Sequence, residues 1–367
     1  MNLTKDMYEY LTNFAEDRDI LNMLSVNKKF NDDSFFERVL RRKYPLLLKF
    51  KKENETFKQL YLRMIRYIAK LQEEFGIPYI PNPVFNPQNF YKNNWFDKLI
   101  YQFAGNMATK IGNQKVVDFT IDKGADKDLL LFNAARYGNL NLVKHLMTDK
   151  GATNINNGLK GAAEGGHMDI LDFFLEKGAD NYNGAIRHAA NGGHIDIVSL
   201  FIQKGATNFE DVMYDAARGG HLNIVLYMIK KGANNFNRAL VGAAMGGQIE
   251  MMTFLIEQGA DNLDSPLRWA AAVGKIKAVK FLIEKGAGNF QDAMNAAAEF
   301  GRLKIVKYFL AKFPLFKERA FLLAASNGKL NTVKYLHDLG VSNIQEAINI
   351  AEANGHIHVV QYLKSVF

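Results

Sequence analysis

Cysteine is absent from this chain of 367 residues. Its absence excludes disulfide bridges, thiol nucleophiles, cysteine zinc sites and iron–sulfur ligation, and it suits a reducing compartment. Long apolar runs are also missing, and the first ten residues interleave Lys5, Asp6 and Glu9 with apolar positions, unlike a signal peptide. No later stretch reaches about 18 apolar residues without a charge, as a membrane-spanning helix would. We therefore expect a soluble cytoplasmic protein with no membrane partner.

The positive charge of the chain is concentrated in one segment. The formal net charge is +8, and residues 38–70 alone hold 11 Lys or Arg against 2 acids, a net of +9. The remainder therefore sums to −1. Aromatic residues interleave with this segment, as on a nucleic-acid surface, but their helical spacing predicts core positions. Charge runs on helices usually cover a solvated face, so nucleic-acid binding through residues 38–70 is the less favoured alternative.

Self-similarity at one fixed period dominates the rest of the sequence. Eight glycines, starting at Gly166, lie 27 residues apart, and a series of alanines keeps the same period. A second glycine series runs from Gly124 to Gly286, skips Phe313, where Pro314 predicts the loss of a glycine-type cap, and resumes one period later. Chance does not hold three series in phase over so long a stretch. The sequence predicts about nine or ten repeats over residues 105–367.

Each repeat is predicted to be two helices joined by a glycine turn. In residues 181–206 a short alanine-rich helix is broken by Gly192 and Gly193, and the next helix carries an apolar stripe that includes Val198. Gly205 predicts the end of that second helix, because glycine readily takes the left-handed cap. A unit of this size cannot bury its apolar face alone. Neighbouring units must therefore cover one another, as in a solenoid.

Two stretches carry a family resemblance. Residues 189–198, Ala-Ala-Asn-Gly-Gly-His-Ile-Asp-Ile-Val, and residues 216–225, Ala-Ala-Arg-Gly-Gly-His-Leu-Asn-Ile-Val, resemble the helical core of the ankyrin repeat. The resemblance implies an all-α solenoid that recognises other proteins. The usual unit of about 33 residues has a hairpin opened by Thr-Pro-Leu-His, which only Ser-Pro-Leu-Arg at 265–268 resembles here. Because the unit is shortened, we expect binding to use the short turns and the exposed side of the first helices.

Residues 1–75 do not repeat, and part of them is similar to the core of an F-box. The matching features are Asp-Ile-Leu at 19–21 and Val-Asn-Lys-Lys-Phe at 26–30, although the usual Leu-Pro opening is missing. The resemblance implies a small helical domain that docks the Skp-type subunit of a cullin–RING ubiquitin ligase, while the repeats hold a target. The residues that would face that subunit or build the domain's core are Leu11, Ile20, Leu21, Leu24, Val26 and Phe30.

A proline- and aromatic-rich stretch, residues 76–104, is predicted to connect the two parts and to pack on the solenoid. It holds four of the seven prolines of the chain. A second interpretation is that the first 100 residues only cap the solenoid, so that the chain is a scaffold without ligase contact. The combination also resembles ankyrin proteins of large amoeba-infecting DNA viruses of the Mimivirus type, which implies a host–virus interaction in the host cytoplasm.

No constellation of residues indicates catalysis, a metal or a cofactor. His167, His194, His221 and His356 recur directly after the inter-helix glycine, which predicts that they bond a turn. His356 and His358 form a His-x-His pair, but no cysteine and no acidic cluster accompany it. The glycine pairs lack the Lys-Ser/Thr ending of a phosphate loop and join helix to helix. We predict a protein that is not an enzyme and needs no cofactor.

The candidate binding surface follows from the positions that vary. The residues just before each inter-helix glycine differ most between repeats, and in a solenoid such positions are free to specify a partner. The alternative is that they are unconstrained surface. The predicted partner-binding residues, including three on the same short helices, are Arg136, Tyr137, Glu164, Asn191, Tyr214, Arg218, Met245, Arg268, Trp269, Glu299, Phe300 and Ser326.

Overall fold

The structure is a computed structural model that describes Thr56 and residues 101–366, with gaps at 103, 104, 107 and 111. The described residues from 101 onward belong to the unit Val84–Phe367. None of their helices has the length and apolarity needed to span a bilayer. Except for Thr56, residues 1–100 lie outside the described part of the chain. They include the predicted F-box-like domain (1–75), the basic segment (38–70) and most of the predicted connector (76–104). They also include the predicted docking residues Leu11, Ile20, Leu21, Leu24, Val26 and Phe30.

The described part of the chain is all-helical, as the sequence predicts. In chain order the helices are α1 (Gln114–Asp122), α2 (Lys127–Arg136), α3 (Leu140–Thr148), α4 (Ile155–Gly165), α5 (Met168–Glu176), α6 (Tyr182–Gly192), α7 (Ile195–Gln203), α8 (Phe209–Gly219), α9 (Leu222–Lys230), α10 (Phe236–Gly246), α11 (Ile249–Glu257), α12 (Asp264–Val273), α13 (Ile276–Glu284), α14 (Phe290–Glu299), α15 (Leu303–Leu310), a 3₁₀ turn (Pro314–Phe316), α16 (Lys317–Ser326), α17 (Leu330–Asp338), α18 (Ile344–Ala353) and α19 (Ile357–Val366). Even-numbered helices are the first helices of nine pairs and odd-numbered ones from α3 are the second. Helix α1 corresponds to a second helix.

Local signals set the helix ends, as in the pair α6/α7. The side chain of Asn181 caps α6 by accepting from the backbone N–H of Gly184 at 2.9 Å. The helix ends at Gly193, which takes the left-handed conformation with φ +87°. Gly192, predicted to be part of the break, instead lies inside α6. A Cβ at Gly192 would stand 2.2 Å from the carbonyl oxygen of Glu164, so glycine is required there by the close approach of α4.

Small residues let the first helices pack against one another. Ala189 and Ala190 of α6 and Ala216 of α8 are completely buried, and adjacent first helices lie in close contact along the stack. Second helices touch their neighbours at few points, so the first helices make most of the contacts between repeats. The second helices supply larger apolar side chains such as Phe174 and Phe201, each contributing roughly 1.5–3 kcal/mol on burial before entropy is subtracted.

A ladder of polar side chains fixes the connections between pairs. Oδ1 of Asp128 accepts from the backbone N–H groups of Thr153 and Asn154, at 2.9 and 3.0 Å. The side chains that accept in the same way from the next connection are Asn156, Asn183, Glu210, Asn237, Asp264 and Glu318. Each of these seven pairs thus satisfies backbone donors of its successor. No strand forms in residues 112–366, so the ladder takes the place of a hairpin there.

The joint at 311–316 departs from the glycine cap of the other repeats. Pro314 begins the 3₁₀ turn, and Phe313 keeps a negative φ of −133° instead of the left-handed cap, as the proline predicts. The ring of Phe313 stacks on Phe290 at 4.8 Å and on Phe316 at 5.5 Å between centroids. Stacked aromatic rings therefore hold this joint, and Leu315 is left 91% exposed at its tip.

Candidate functional site

All twelve predicted partner-binding residues lie on one side of the stack. We call this side the inner face, meaning the exposed sides of the first helices α2 to α18 and the turns that follow them. Seven residues form a row at the C-terminal ends of these helices: Arg136, Glu164, Asn191, Arg218, Met245, Glu299 and Ser326. Tyr137 and Phe300 directly follow that row, and Tyr214, Arg268 and Trp269 lie about one helical turn before it.

Ion pairs between repeats cover the first part of the inner face. Glu164 lies 3.0 Å from Arg136 Nη2 and 2.8 Å from His188 Nδ1, which places a carboxylate between two groups of neighbouring pairs. Burial raises the pKa of the Glu164 carboxyl, but the His188 hydrogen bond and the charge of Arg136 outweigh it and hold the pKa below its usual value. The side chain of Glu164 is only 12% exposed, so it organises its neighbours more than it faces a partner.

Further cross-repeat pairs lie on α6, α8 and α10. Arg187 Nε donates to Asp215 Oδ2 at 2.5 Å, and burial raises the pKa of the Asp215 carboxyl even beside that cation. Arg238 pairs with Asp211, and its guanidinium lies 5.8 Å from the centroid of the Tyr214 ring.

Tyr214 lies within this part of the face. Its hydroxyl donates to Met245 Sδ at 3.0 Å, and burial raises the pKa of that hydroxyl. The two predicted residues Tyr214 and Met245 are thus joined to each other across adjacent repeats. A partner would meet them as one preorganised surface.

Exposed aromatic rings mark the later part of the inner face. Trp269 on α12 is 36% exposed, and Phe300 at the end of α14 is 42% exposed. The guanidinium of Arg268 lies 5.2 Å from the Trp269 ring, and its Nε lies 3.3 Å from Asp292. Tryptophan, tyrosine and arginine most often anchor protein interfaces, and here an ion pair fixes the arginine against the tryptophan. Tyr137, near the first end of the face, is 41% exposed.

The turn histidines are structural, as predicted, but they bond backbone carbonyls at the end of the preceding repeat's first helix instead of a turn. His194 Nε2 lies 3.0 Å from the carbonyl oxygen of Glu164, and His221 Nε2 lies 3.0 Å from that of Asn191. His167 and His356 bond in the same way, as do Gln248 and Arg302 at equivalent positions. Five carbonyls of the predicted surface row, those of Arg136, Glu164, Asn191, Arg218 and Ser326, therefore accept structural hydrogen bonds from the next repeat.

His356 and His358 do not converge on one point. Their ring centroids lie 6.2 Å apart, and each Nε2 faces a separate carbonyl, of Ser326 at 2.8 Å and of Gly328 at 3.0 Å. Burial lowers the pKa of both imidazoles. Within the described part of the chain, no group of three or more His, Asp or Glu could hold a metal ion.

Comparison with known families bears on this architecture. The family model for ankyrin repeats (3 copies) matches residues 159–239, 213–293 and 240–320. These residues are ankyrin repeats. Ankyrin repeats serve as protein–protein interaction modules and are generally non-enzymatic scaffolds. No curated protein matches the chain. The pairs α2/α3 and α18/α19 lie outside the matched stretches and continue the same helix–turn–helix pattern.

The cross-repeat pairs are the part of the site that sequence reasoning missed. Their signal was present as opposite charges spaced close to one repeat apart, as in Arg136 and Glu164 or Arg187 and Asp215. In the sequence each variable position was considered by itself, whereas in the structure ion pairs and hydrogen bonds connect several of these positions across repeats. Which side chains meet depends on the distance between first helices, and that distance is set by alanines and glycines elsewhere on them.

Proposed function

We propose that the inner face of the ankyrin repeats recognises a protein partner and that the chain acts by binding rather than by catalysis. The observation that carries the proposal is the pair of exposed rings on neighbouring first helices, Trp269 and Phe300, with Arg268 held over the tryptophan. Such a cluster offers the aromatic and arginine anchors on which interface affinity concentrates.

Specificity would come from the earlier repeats. Their paired charges are already oriented, so a partner gains complementary contacts without ordering them first. Arg218 is exposed, and no ion pair joins it to another residue in the described part of the chain. It therefore provides a cation for an acidic group of the partner, between the pairs built on Glu164 and Asp215.

Affinity capture from the native cell tests the inner face. The full chain is compared with Trp269→Ala/Phe300→Ala and with a control, Leu222→Ala/Leu226→Ala, which truncates two exposed leucines of α9 that are 43% and 49% exposed. We expect the wild type and the control to enrich the same protein, and the aromatic double variant to lose it. Equal enrichment by all three chains, or loss in the control alone, would remove the inner face as the binding surface.

We further propose that the chain is an adaptor that brings the bound protein to a cullin–RING ubiquitin ligase through residues 1–75. This extension rests on the F-box-like sequence pattern, whose residues lie outside the described part of the chain. The competing proposal is a scaffold in which these residues only cap the solenoid. Capture of a Skp-type subunit by the full chain, but not by Leu21→Asp, supports the adaptor. Equal amounts of that subunit with both chains, or none with either, would contradict the adaptor and favour the scaffold.

A further inference from the structure

The outer side of the stack changes sign along its length. Three successive stretches, each a second helix with its flanking turn residues, are 275–285, 302–312 and 329–339. They hold 10 Lys or Arg against 2 acids. The four preceding equivalents, 167–177, 194–204, 221–231 and 248–258, hold 4 Lys or Arg against 6 acids. A net of +8 thus adjoins a net of −2 on the same side of one solenoid.

Seven of these cations lie on or directly after the second helices and form a grid, which we call the outer basic face: Lys277, Lys280, Lys285, Lys304, Lys307, Lys312 and Lys334. The other three, Lys275, Arg302 and Lys329, lie in the turns that follow the first helices. The cations of each of the first two stretches span about 12 Å at 1.5 Å per residue, and neighbouring helices lie about 8–10 Å apart. Lys277, Lys280, Lys304, Lys307 and Lys312 are exposed, and no ion pair holds any of these five within the described chain. The patch is therefore broad in two directions.

Aromatic rings hold several of these lysines in place. Lys280 Nζ lies 5.6 Å from the ring centroid of Tyr308, and Lys307 Nζ lies 4.7 Å from that of Tyr335 in the next repeat. Lys312, two residues after the end of α15, lies 5.0 Å from the same Tyr308 ring. The positive charges are thereby fixed across repeats. The rings of Tyr308 and Tyr335 are partly buried beneath ammonium groups, which leaves little ring surface on which an unpaired base could stack.

Three further cations lie next to this face, in the turns before the second helices. Helices α13, α15 and α17 begin directly after Lys275, Arg302 and Lys329, and none of the three carries an acid in its first turn. The positive end of a helix dipole disfavours cations at that position. Arg302 Nε also donates to the carbonyl oxygen of Ala272 in the preceding repeat, at 2.8 Å, so this residue has a structural role.

The side-chain types of the outer basic face indicate which class of partner it binds. Of the large apolar side chains in these three stretches, only Leu339, at the far end of α17, is exposed. Protein interfaces concentrate their affinity on apolar and aromatic anchors, and amphipathic lipid-binding surfaces insert apolar side chains. Nine of the ten cations are lysine, which contacts phosphates as a point charge, whereas base recognition favours arginine. Because neutral side chains that could bond a ribose 2′-hydroxyl are scarce here, DNA fits better than RNA.

We propose that the outer basic face binds the phosphate backbone of double-stranded DNA without sequence preference. The lysines of this face extend in two directions, as the phosphates of a duplex do. The partly covered tyrosine rings leave little surface on which the bases of a single strand could stack. The lysines changed in the test lie on or directly after second helices, whereas the twelve predicted partner-binding residues lie on first helices and the turns after them. The proposal is therefore tested independently of the protein-binding function.

The test measures fluorescence anisotropy of a labelled 20-bp duplex with the full chain between 50 and 200 mM NaCl, conditions in which backbone binding is strongly salt-dependent, about 0.9 in log–log slope per phosphate neutralised. Lys285→Gln/Lys312→Gln is compared with Lys204→Gln/Lys231→Gln, which changes the equivalent positions of the earlier repeats. Circular dichroism melts of both variants verify folding. A second variant, Lys280→Gln/Lys307→Gln, removes the centre of the grid.

We expect both outer-basic-face variants to bind several-fold more weakly, with a salt slope shallower by about 2, and the matched control to bind like wild type. Absent binding, salt-insensitive binding or an equal loss in the control would overturn the proposal. Binding that is unchanged in both outer-basic-face variants would also overturn it, because the duplex would then bind elsewhere, for example to residues 38–70. Stronger binding to phosphatidylserine vesicles or to polyglutamate than to the duplex would assign the face to a different partner.

Discussion

At the scale of single residues, His145 links two adjacent second helices through their acids. Its Nε2 lies 2.7 Å from Asp118 of α1, and its Nδ1 lies 2.8 Å from Asp149 at the end of α3. The hydrogen bond to Asp118 raises the pKa of the imidazole, burial opposes it, and Asp149 adds to the rise. The folded state therefore binds the proton of His145 more tightly than the unfolded state does.

The pH dependence of stability follows from that difference. The contribution of His145 is complete below the unfolded pKa of about 6.5 and is lost as the pH rises through the raised folded value. We expect His145→Gln to lower the free energy of unfolding more at pH 6 than at pH 8.5, in urea titrations of the full chain. An identical loss at both pH values would show that the imidazolium does not contribute.

Residue patterns were predictable where one residue type recurs. The turn histidines were recognised as structural because four of them share one position, and the structure confirms that role. The ladder that begins at Asp128 and Asn156 was not recognised. Aspartate, asparagine and glutamate alternate there, so the common property is an acceptor oxygen and not a residue name.

At the scale of the element, the first of each glycine pair keeps neighbouring first helices together. A Cβ at Gly192 would meet the backbone oxygen of Glu164 at 2.2 Å, and a backbone atom cannot move aside without shifting a helix. We expect Gly192→Ala to lower the free energy of unfolding by about 1–3 kcal/mol, the usual cost of overpacking. Chemical denaturation of the full chain measures it.

Gly288 provides the matched control. It lies in a connection between pairs, and a Cβ there would meet no atom within 4 Å. Gly288→Ala should change stability by no more than about 0.5 kcal/mol, the usual range for surface substitutions. Equal effects of the two substitutions would contradict the claim that close helix approach, rather than backbone freedom, requires the glycine at 192.

The irregular joint shows where prediction from sequence ends. Pro314 predicts the loss of the glycine cap, and the structure confirms it. The stacking of Phe313 on Phe290 was not predictable, because it joins residues of consecutive repeats through ring orientation. Sequence reasoning therefore identified the exception but not the aromatic contacts that stabilise it.

At the scale of the whole molecule, the 27-residue period predicted the fold. The net charge of the chain did not predict that parts of its surface differ in sign. The sum of −1 outside residues 38–70 is correct, yet the folded repeats separate into acidic and basic stretches on one side. Alternating inner and outer helices bring together side chains 27 residues apart. A sum along the chain cannot show that arrangement.

Removing helix pairs from the end of the stack should lower its stability step by step, since each pair contacts only its neighbours. Removing residues 341–367, which include α18 and α19, uncovers apolar groups of the preceding pair such as Val333 and Leu336. We expect a lower denaturation midpoint with unchanged helicity per remaining residue by circular dichroism. Loss of all helical signal would indicate one global core instead of nearest-neighbour coupling.

Recognition of a protein by the inner face can be tested by site-specific photo-crosslinking in the native cell. A benzophenone amino acid replaces Trp269 on the inner face or Leu226 on the outer side, where both native side chains are exposed. We expect a discrete protein adduct from position 269 and none from position 226. An adduct from position 226 with none from position 269 would contradict it.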